Sequence, residues 1–296
     1  MQKILVATDF SSAGGRAVQV AARLARQARA ALRVVHVVPS RRRLAQFWRV
    51  DVATAITAHR RAHAALRRVA DSIDPSSRIE VSTGLVSGAA SVQIARAARD
   101  YGADLLVIGA IGEHEERPRG VSLGDTAIKL INTTPVPLLL VRTIDTAADL
   151  VLAAVDLSPA SRDVVSWART LAAGDERVAV LHVYEVPFAA RLEAYGVATE
   201  SVCLYSDDEQ DRRGRELDSL IAPTDGYAGV RRSVERGDAI DRIFDFIEVN
   251  KPTLIVLGKH GKRTGRRGGR GGSVSRHVAM FSSVNVLLVT HGSARW

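Results

Sequence analysis

The sequence holds a single cysteine, Cys203, in 296 residues. An intramolecular disulfide and a zinc site built from several thiolates are therefore excluded, and a reducing, cytoplasmic setting is the natural expectation. No apolar run approaches the roughly 18 residues that a membrane-spanning helix needs. The opening MQKILVATDF carries one lysine and reaches Asp9 too early for a signal peptide, so it reads as a first strand. Lysine is scarce: five lysines stand against 36 arginines, with a net charge of +9. Arginine enrichment can follow base composition, so the clustering of charge says more than its sum. Two nucleotide fingerprints are also missing. Gly261-Lys262-Arg263-Thr264 lacks the Gly-Lys-Ser/Thr adjacency that brings lysine and hydroxyl together on phosphate and magnesium. Ser11 to Gly15 has glycines only at 14 and 15, so the G-x-G-x-x-G of a dinucleotide fold does not follow the first strand.

What is present is a chain with 46% hydrophobic residues, enough to build real cores, and a length comfortable for two domains of about 145 residues each. Apolar runs of strand length alternate with helical patterns. In the first half, strands are expected at 3–8, 32–38, 78–83, 104–108 and 137–141. Helices are expected at 13–29 (capped by Ser11 or Ser12), 41–71, 88–100 and 124–131. The order then starts again. LVLAAV ends at Asp156 as KILVAT ends at Asp9, and Ser158-Pro159 supplies a helix cap with proline at the start. VAVLHVY, with His182, answers LRVVHVV, with His36; Gly237 answers Gly88; and LIVLGKHG, ending at Gly261, answers LLVIGAIG, ending at Gly112. An ordered correspondence of this kind is a tandem duplication. It predicts an α/β protein of two tandem Rossmann-like domains, 1–144 and 148–292, each a mostly parallel five-stranded sheet flanked by helices. The stretch from Pro187 to Ala228, with Asp207-Asp208-Glu209, is the least regular and is expected to hold a helix after an irregular lead-in.

One stretch concentrates the chemistry. Gly258 to Ser273, GKHGKRTGRRGGRGGS, leaves the apolar run TLIVL and precedes a short helical pattern. A glycine-rich loop between a strand and a helix is where an α/β sheet cradles phosphate on the first amides of the helix. Its six basic residues, with no acidic one among them, agree with that sign.

The chain resembles a tandem universal stress protein with two UspA-type domains. The family opens each domain with an apolar strand ending in Asp-x-Ser, here LVATDFS and LAAVDLS, and its nucleotide-binding members carry G-x2-G-x9-G-[ST] after the fourth strand. In the second half the match runs Gly258, His260, Gly261 and then Gly272-Ser273, with ten residues intervening instead of nine. The resemblance implies that ATP or a related adenine nucleotide, with or without magnesium, binds there. Phosphates would meet Gly261, Gly272, Ser273 and Val274, and Asp156 and Tyr184 would border the base or ribose. The first half keeps Gly109 and Gly112, but eleven residues precede Gly124, and Asp125 stands where the family has Ser or Thr. A carboxylate repels phosphate, so Asp125 is expected to cap its own helix and the first domain to be poor in nucleotide. Asp9, Val38, Gly109, Gly112 and Gly124 remain weaker candidates, with Asp9 either touching a base or fixing its loop.

Other readings stay beside this one. The family resemblance implies a nucleotide-responsive stress-response protein working through a regulatory protein partner. The alternatives are an interaction protein with no nucleotide, RNA binding through the two Arg-Gly-Gly triplets at 267–272, and a slow ATPase. Nucleic acid is the weaker partner class here, because the loop has no aromatic residue to stack on bases. No catalytic residue and no metal site is assigned: His59 and His63 share a helix face without a third ligand, and His36 and His182 read as groups for packing or strand-end hydrogen bonding. Family members commonly pair through their last strands, which leaves a homodimer or an intrachain pseudo-dimer through 137–141 and 285–290 both open.

Overall fold

The computed structural model describes residues 1–40, 52–73, 79–111, 123–144, 150–172, 174–185, 199–221, 229–260 and 272–294. Expectations for 41–51, Gly112 and 261–271 fall outside them. The first repeat runs β1 (Lys3–Ala7), α1 (Ser12–Ala28), β2 (Ala31–Val38), α2 (Val52–Asp71), β3 (Val81–Ser87), α3 (Ala90–Tyr101), β4 (Leu105–Gly109), α4 (Asp125–Thr133) and β5 (Leu138–Val141). The second runs β6 (Val151–Val155), α5 (Ser161–Leu171), β7 (Val178–Tyr184), α6 (Thr199–Ile221), β8 (Arg231–Arg236), α7 (Ala239–Asn250), β9 (Leu254–Gly258), α8 (Ser273–Phe281) and β10 (Asn285–Val289). The helical part of the irregular stretch is α6.

The inner strands are continuous apolar runs because a parallel sheet is covered on both faces. Ile4, Leu5 and Val6 of β1, Leu105 to Val107 of β4, and Val151 to Ala153 of β6 are all fully buried. Helix α1 packs on β1 and β4, and α5 packs on β6 and β9. Gly88 and Gly237, matched in the repeat, have φ of +145° and +143° between an outer strand and the next helix, a conformation open to glycine and to few other residues.

Strand β3 starts three residues later than expected and continues through Gly84, whose missing side chain makes room for Arg33 and Val35 of the neighbouring strand: a Cβ there would lie 3.3 Å from Arg33 Nε. Helix α5 also starts later than Ser158-Pro159 suggested. Leu157 has φ +57°, the Ser158 carbonyl accepts from the Ser161 amide at 2.9 Å, and Ala160 takes the cap position. Asp125 is the first helical residue of α4, and Gly124 takes the cap position without a side-chain cap bond. The expected cap is thereby corrected: the carboxylate sits in the positive first turn, where it is stabilised by the helix dipole.

The expectation of two five-stranded sheets is also corrected. One compact unit comprises Met1–Thr146 with Ala279–Trp296, and the other Ala147–Val278. In the first unit the strand order is β3-β2-β1-β4-β5-β10; in the second it is β9-β6-β7-β8. The ten strands thus divide six and four, and the first unit's sheet is mixed, since β10 runs antiparallel to β5 with Leu287 opposite Leu139. The pairing of final strands left open by the sequence is made within the chain. Its anchor is Asn285, 1% exposed, whose Oδ1 accepts from the Arg142 amide at 2.7 Å and the Thr143 amide at 3.1 Å, while its Nδ2 donates to the Thr143 carbonyl at 3.3 Å. The Arg142 guanidinium donates from Nη2 to the Ala279 carbonyl at 2.6 Å, and burial pushes its pKa down to about 10.

Replacing Asn285 with Ala leaves two backbone donors without that acceptor. The variant is expected to lose about 3 kcal/mol of stability, read as a lower urea midpoint and faster amide exchange in β5 and β10. An unchanged midpoint and unchanged exchange would show that the strand pairing does not rest on this side chain.

Candidate functional site

The C-terminal ends of β6, β7 and β9 and the N-terminal end of α8 enclose a cavity of about 470 Å3 in the second unit. Strand ends and a helix start meet there because right-handed crossovers bring every parallel strand out at the same edge. Asp156, Tyr184, Gly258, His260, Gly272, Ser273 and Val274 all line it, so the structure brings together every described candidate of the second repeat. Gly261 lies outside the described residues.

The walls have distinct chemistry. Asp156 Oδ1 accepts from the Ser158 amide at 3.0 Å and from Ser161 Oγ at 3.2 Å, which fixes the carboxylate in its turn. His182 Nδ1 lies 2.9 Å from the Val155 carbonyl. A carbonyl only accepts, so Nδ1 carries a proton and donates it there. At the start of α8, the Gly272 amide donates to the Lys259 carbonyl at 3.0 Å, and Ser275 Oγ lies 3.3 Å from the same oxygen. The loop ends are tied together there, which sets the first turn of the helix against the cavity. Lys259 is 4% exposed, and burial lowers its pKa to about 8. His260 is lowered by burial and then by the charge of Lys259, so it faces the cavity as a neutral imidazole at neutral pH.

Four further polar lining groups escaped the sequence reading, among them Glu185, which follows Tyr184 at the end of β7. Ser161 stands where the first repeat has Gly14, and its hydroxyl bonds the aspartate. Ser275 carries the loop-closing bond just described. Arg213 enters from α6, held by Glu209 through Nε at 2.8 Å and by Glu216 through Nη1 at 3.1 Å. The i,i+4 spacing of Glu209 and Arg213 was a readable helix signal, masked by an otherwise weak pattern. Arg212 and Arg213 together hold the buried Glu209 carboxyl below its usual range.

The first unit has a counterpart of about 170 Å3, lined by Asp9, His36, Gly109, Gly124 and Asp125 among others. Val38 lies outside it, and Gly112 is not among the described residues. Asp9 accepts from the amide and hydroxyl of Ser11, the loop-fixing role that the sequence left open. His36 Nδ1 donates to the Thr8 carbonyl at 2.8 Å, as His182 does to Val155, so both histidines serve their strand ends. The matched glycines differ in purpose. A Cβ at Gly109 would come within 2.9 Å of the Ala13 backbone, so α1 requires glycine there, whereas at Gly258 the nearest atom would be an ordinary 3.6 Å away. His59 and His63 are exposed on α2, and no group of three His, Cys, Asp or Glu is placed for a metal among the described residues.

The profile of the universal stress protein family matches residues 1–142 and again 149–290. The chain belongs to the universal stress protein family. Its two universal stress repeats resemble a universal stress protein from Archaeoglobus fulgidus DSM 4304 at 18% identity and a TM-score of 0.65, covering 98% of each chain. A functionally unknown protein, PA1789, from Pseudomonas aeruginosa PAO1 matches at 17% identity and a TM-score of 0.62, with 98% of this chain and 93% of that chain covered. Over about one repeat, a universal stress protein in complex with cAMP matches at 23% identity and a TM-score of 0.38, covering 48% of this chain and 97% of that one. Comparison with curated proteins gave no match. No helix among the described residues is long and apolar enough to cross a membrane.

The buried Lys259 ammonium gives this universal stress chain a testable pH signature. Its folded pKa of about 8 lies below the ordinary value of 10.5, so the folded state releases the proton first. Stability contributed by this group therefore rises between about pH 8 and pH 10.5. Lys259→Met is expected to be more stable than the native protein below pH 8 and to flatten the rise, in urea titrations across that window. A rise of the same size in the variant would remove Lys259 as its source.

Proposed function

We propose that this universal stress protein binds ATP or a related adenine nucleotide in the cavity of its second unit, and that its first domain, residues 1–144, serves as a structural partner poor in nucleotide. The observation that carries the reading is the contrast between two matched sites. The second opens about 470 Å3 onto a helix beginning with Ser273; the first opens about 170 Å3 onto a helix beginning with Asp125. Helix N-terminal amides attract phosphate, and a carboxylate at the same point opposes it.

In this reading the amides and hydroxyl at Gly272 and Ser273, with Gly261, hold the phosphates, while Asp156 and Tyr184 border the base or ribose. Magnesium, where present, would come with the phosphates. The Asp156 carboxylate is committed to its own turn, which favours binding over hydrolysis. The protein would then report nucleotide level to a regulatory protein partner in a reducing compartment such as the cytoplasm.

Mass spectrometry of ligands released from freshly purified protein, followed by calorimetric titration with ATP and with cAMP, tests the assignment. One site per chain is expected. Ser273→Asp, alone or with Gly261→Val, should weaken ATP at least thirty-fold, the effect of about 2 kcal/mol of charge repulsion. Two equal sites, or affinity untouched by Ser273→Asp, would overturn the division of labour.

A further inference from the structure

The first unit carries a second concavity, open and about 640 Å3 in volume, between the end of β2 and helix α2. It shares only His36 with the described lining of the Asp125 cavity, and the nucleotide reading of the second unit leaves it unexplained. We infer that it is a binding surface for single-stranded nucleic acid, with a base stacked on Phe10 and His36 and backbone phosphates on Arg61 and Arg68.

The aromatic side is preassembled. Phe10 is 36% exposed, and its ring centroid lies 4.2 Å from that of His36 at a tilt of 32°. The Phe10 amide donates to Thr8 Oγ1 at 3.1 Å and His36 Nδ1 donates to the Thr8 carbonyl at 2.8 Å, so one residue fixes both rings. Phe10 has φ +66°, a costly backbone for a bulky residue. Leu157 has φ +57° at the matching point, so the turn imposes this conformation in both repeats. The exposed aromatic ring is particular to the first. Every nucleobase has a face that such a platform accepts.

The opposite wall is cationic. Helix α2 carries Arg60, Arg61, Arg67 and Arg68 against a single acid, Asp71, at its last position. Arg61 and Arg68 line the concavity, and among the described residues no carboxylate does. They are two turns apart, about 10 Å along the helix axis. Between them the wall is made by Ala62 and Ala65, small enough to leave the floor open. Two cations at that separation call for anionic groups at two points along one ligand. A polynucleotide strand supplies those together with a planar base at every unit, whereas an acidic peptide does so only where an aromatic side chain falls in register with its carboxylates. The Arg-Gly-Gly segment that raised an RNA reading from the sequence belongs to a different part of the chain.

Fluorescence polarisation with a short labelled single-stranded RNA of mixed sequence, in saturating ATP, tests the surface on the full-length protein. Phe10→Leu, which carries the side chain the second repeat tolerates on the same turn, should weaken binding at least about fivefold, while Phe10→Tyr retains it. Arg61→Gln with Arg68→Gln should weaken it further and make the slope of log affinity against log salt shallower by about 1.4. Both positions are exposed, so circular dichroism and the melting temperature should not move. Failure of the native protein to bind at low salt would overturn the inference. So would native affinity in both variants, or displacement of the RNA by polyglutamate of equal charge with Phe10→Leu unaffected.

Discussion

A carboxylate at the end of the first strand of each repeat holds the turn on which the surrounding features depend. Asp9 takes the amide and hydroxyl of Ser11; Asp156 takes the amide of Ser158 and the hydroxyl of Ser161. Each turn forces its middle residue, Phe10 or Leu157, to positive φ. The strand then stops, the chain reverses onto the helix that covers the sheet, and a concavity opens at the edge where the neighbouring strands also end. Small differences in how the carboxylate is held account for much of the divergence between the repeats. In the first, Ser11 passes the interaction on to the Gly14 amide at 3.0 Å and caps α1, which begins at once. A Cβ at Gly14 would come within 2.7 Å of both Asp9 Oδ1 and Thr8 Oγ1, so the helix sits close. In the second, Ser161 supplies the bond with its own side chain, Pro159 falls in the turn, and α5 starts at Ser161.

The repeat architecture was legible because it rests on periodicity and on backbone demands that few residues meet. Gly88 and Gly237 recur because their φ requires glycine, and LRVVHVV and VAVLHVY recur because each strand must bury most of its length in the sheet and place a histidine near its end. The six-and-four division of strands was not legible. It depends on Asn285, an ordinary polar residue in the sequence, closing three bonds onto residues more than 140 positions away. No local pattern encodes a contact of that range.

The candidate site was legible in part, for the same reason. Motif spacing identified the strand end, the loop and the start of α8, since these follow one another in the chain. Arg213 and Ser161 were missed because crossover connections bring them in from elsewhere. Gly109 has a packing reason of its own: α1 would forbid any side chain there regardless of ligand. A motif residue can thus be required by packing whether or not a ligand is held beside it.

Duplication leaves two copies of the same strained turn, and the chain has used the side chain on it differently in each. At Leu157 an aliphatic residue stands on the turn, and the polar groups around Asp156 face the larger cavity. At Phe10 the same backbone holds an aromatic ring against His36 and out towards a helix rich in arginine, while Asp125 stands at the helix start that borders the neighbouring cavity. A carboxylate at one helix start and a run of arginines along another helix lie in one domain, so the local charge differs in sign between the two concavities. The geometry of the turn is set by Thr8, Asp9 and Ser11, so the residue displayed at position 10 can change without changing the backbone that presents it.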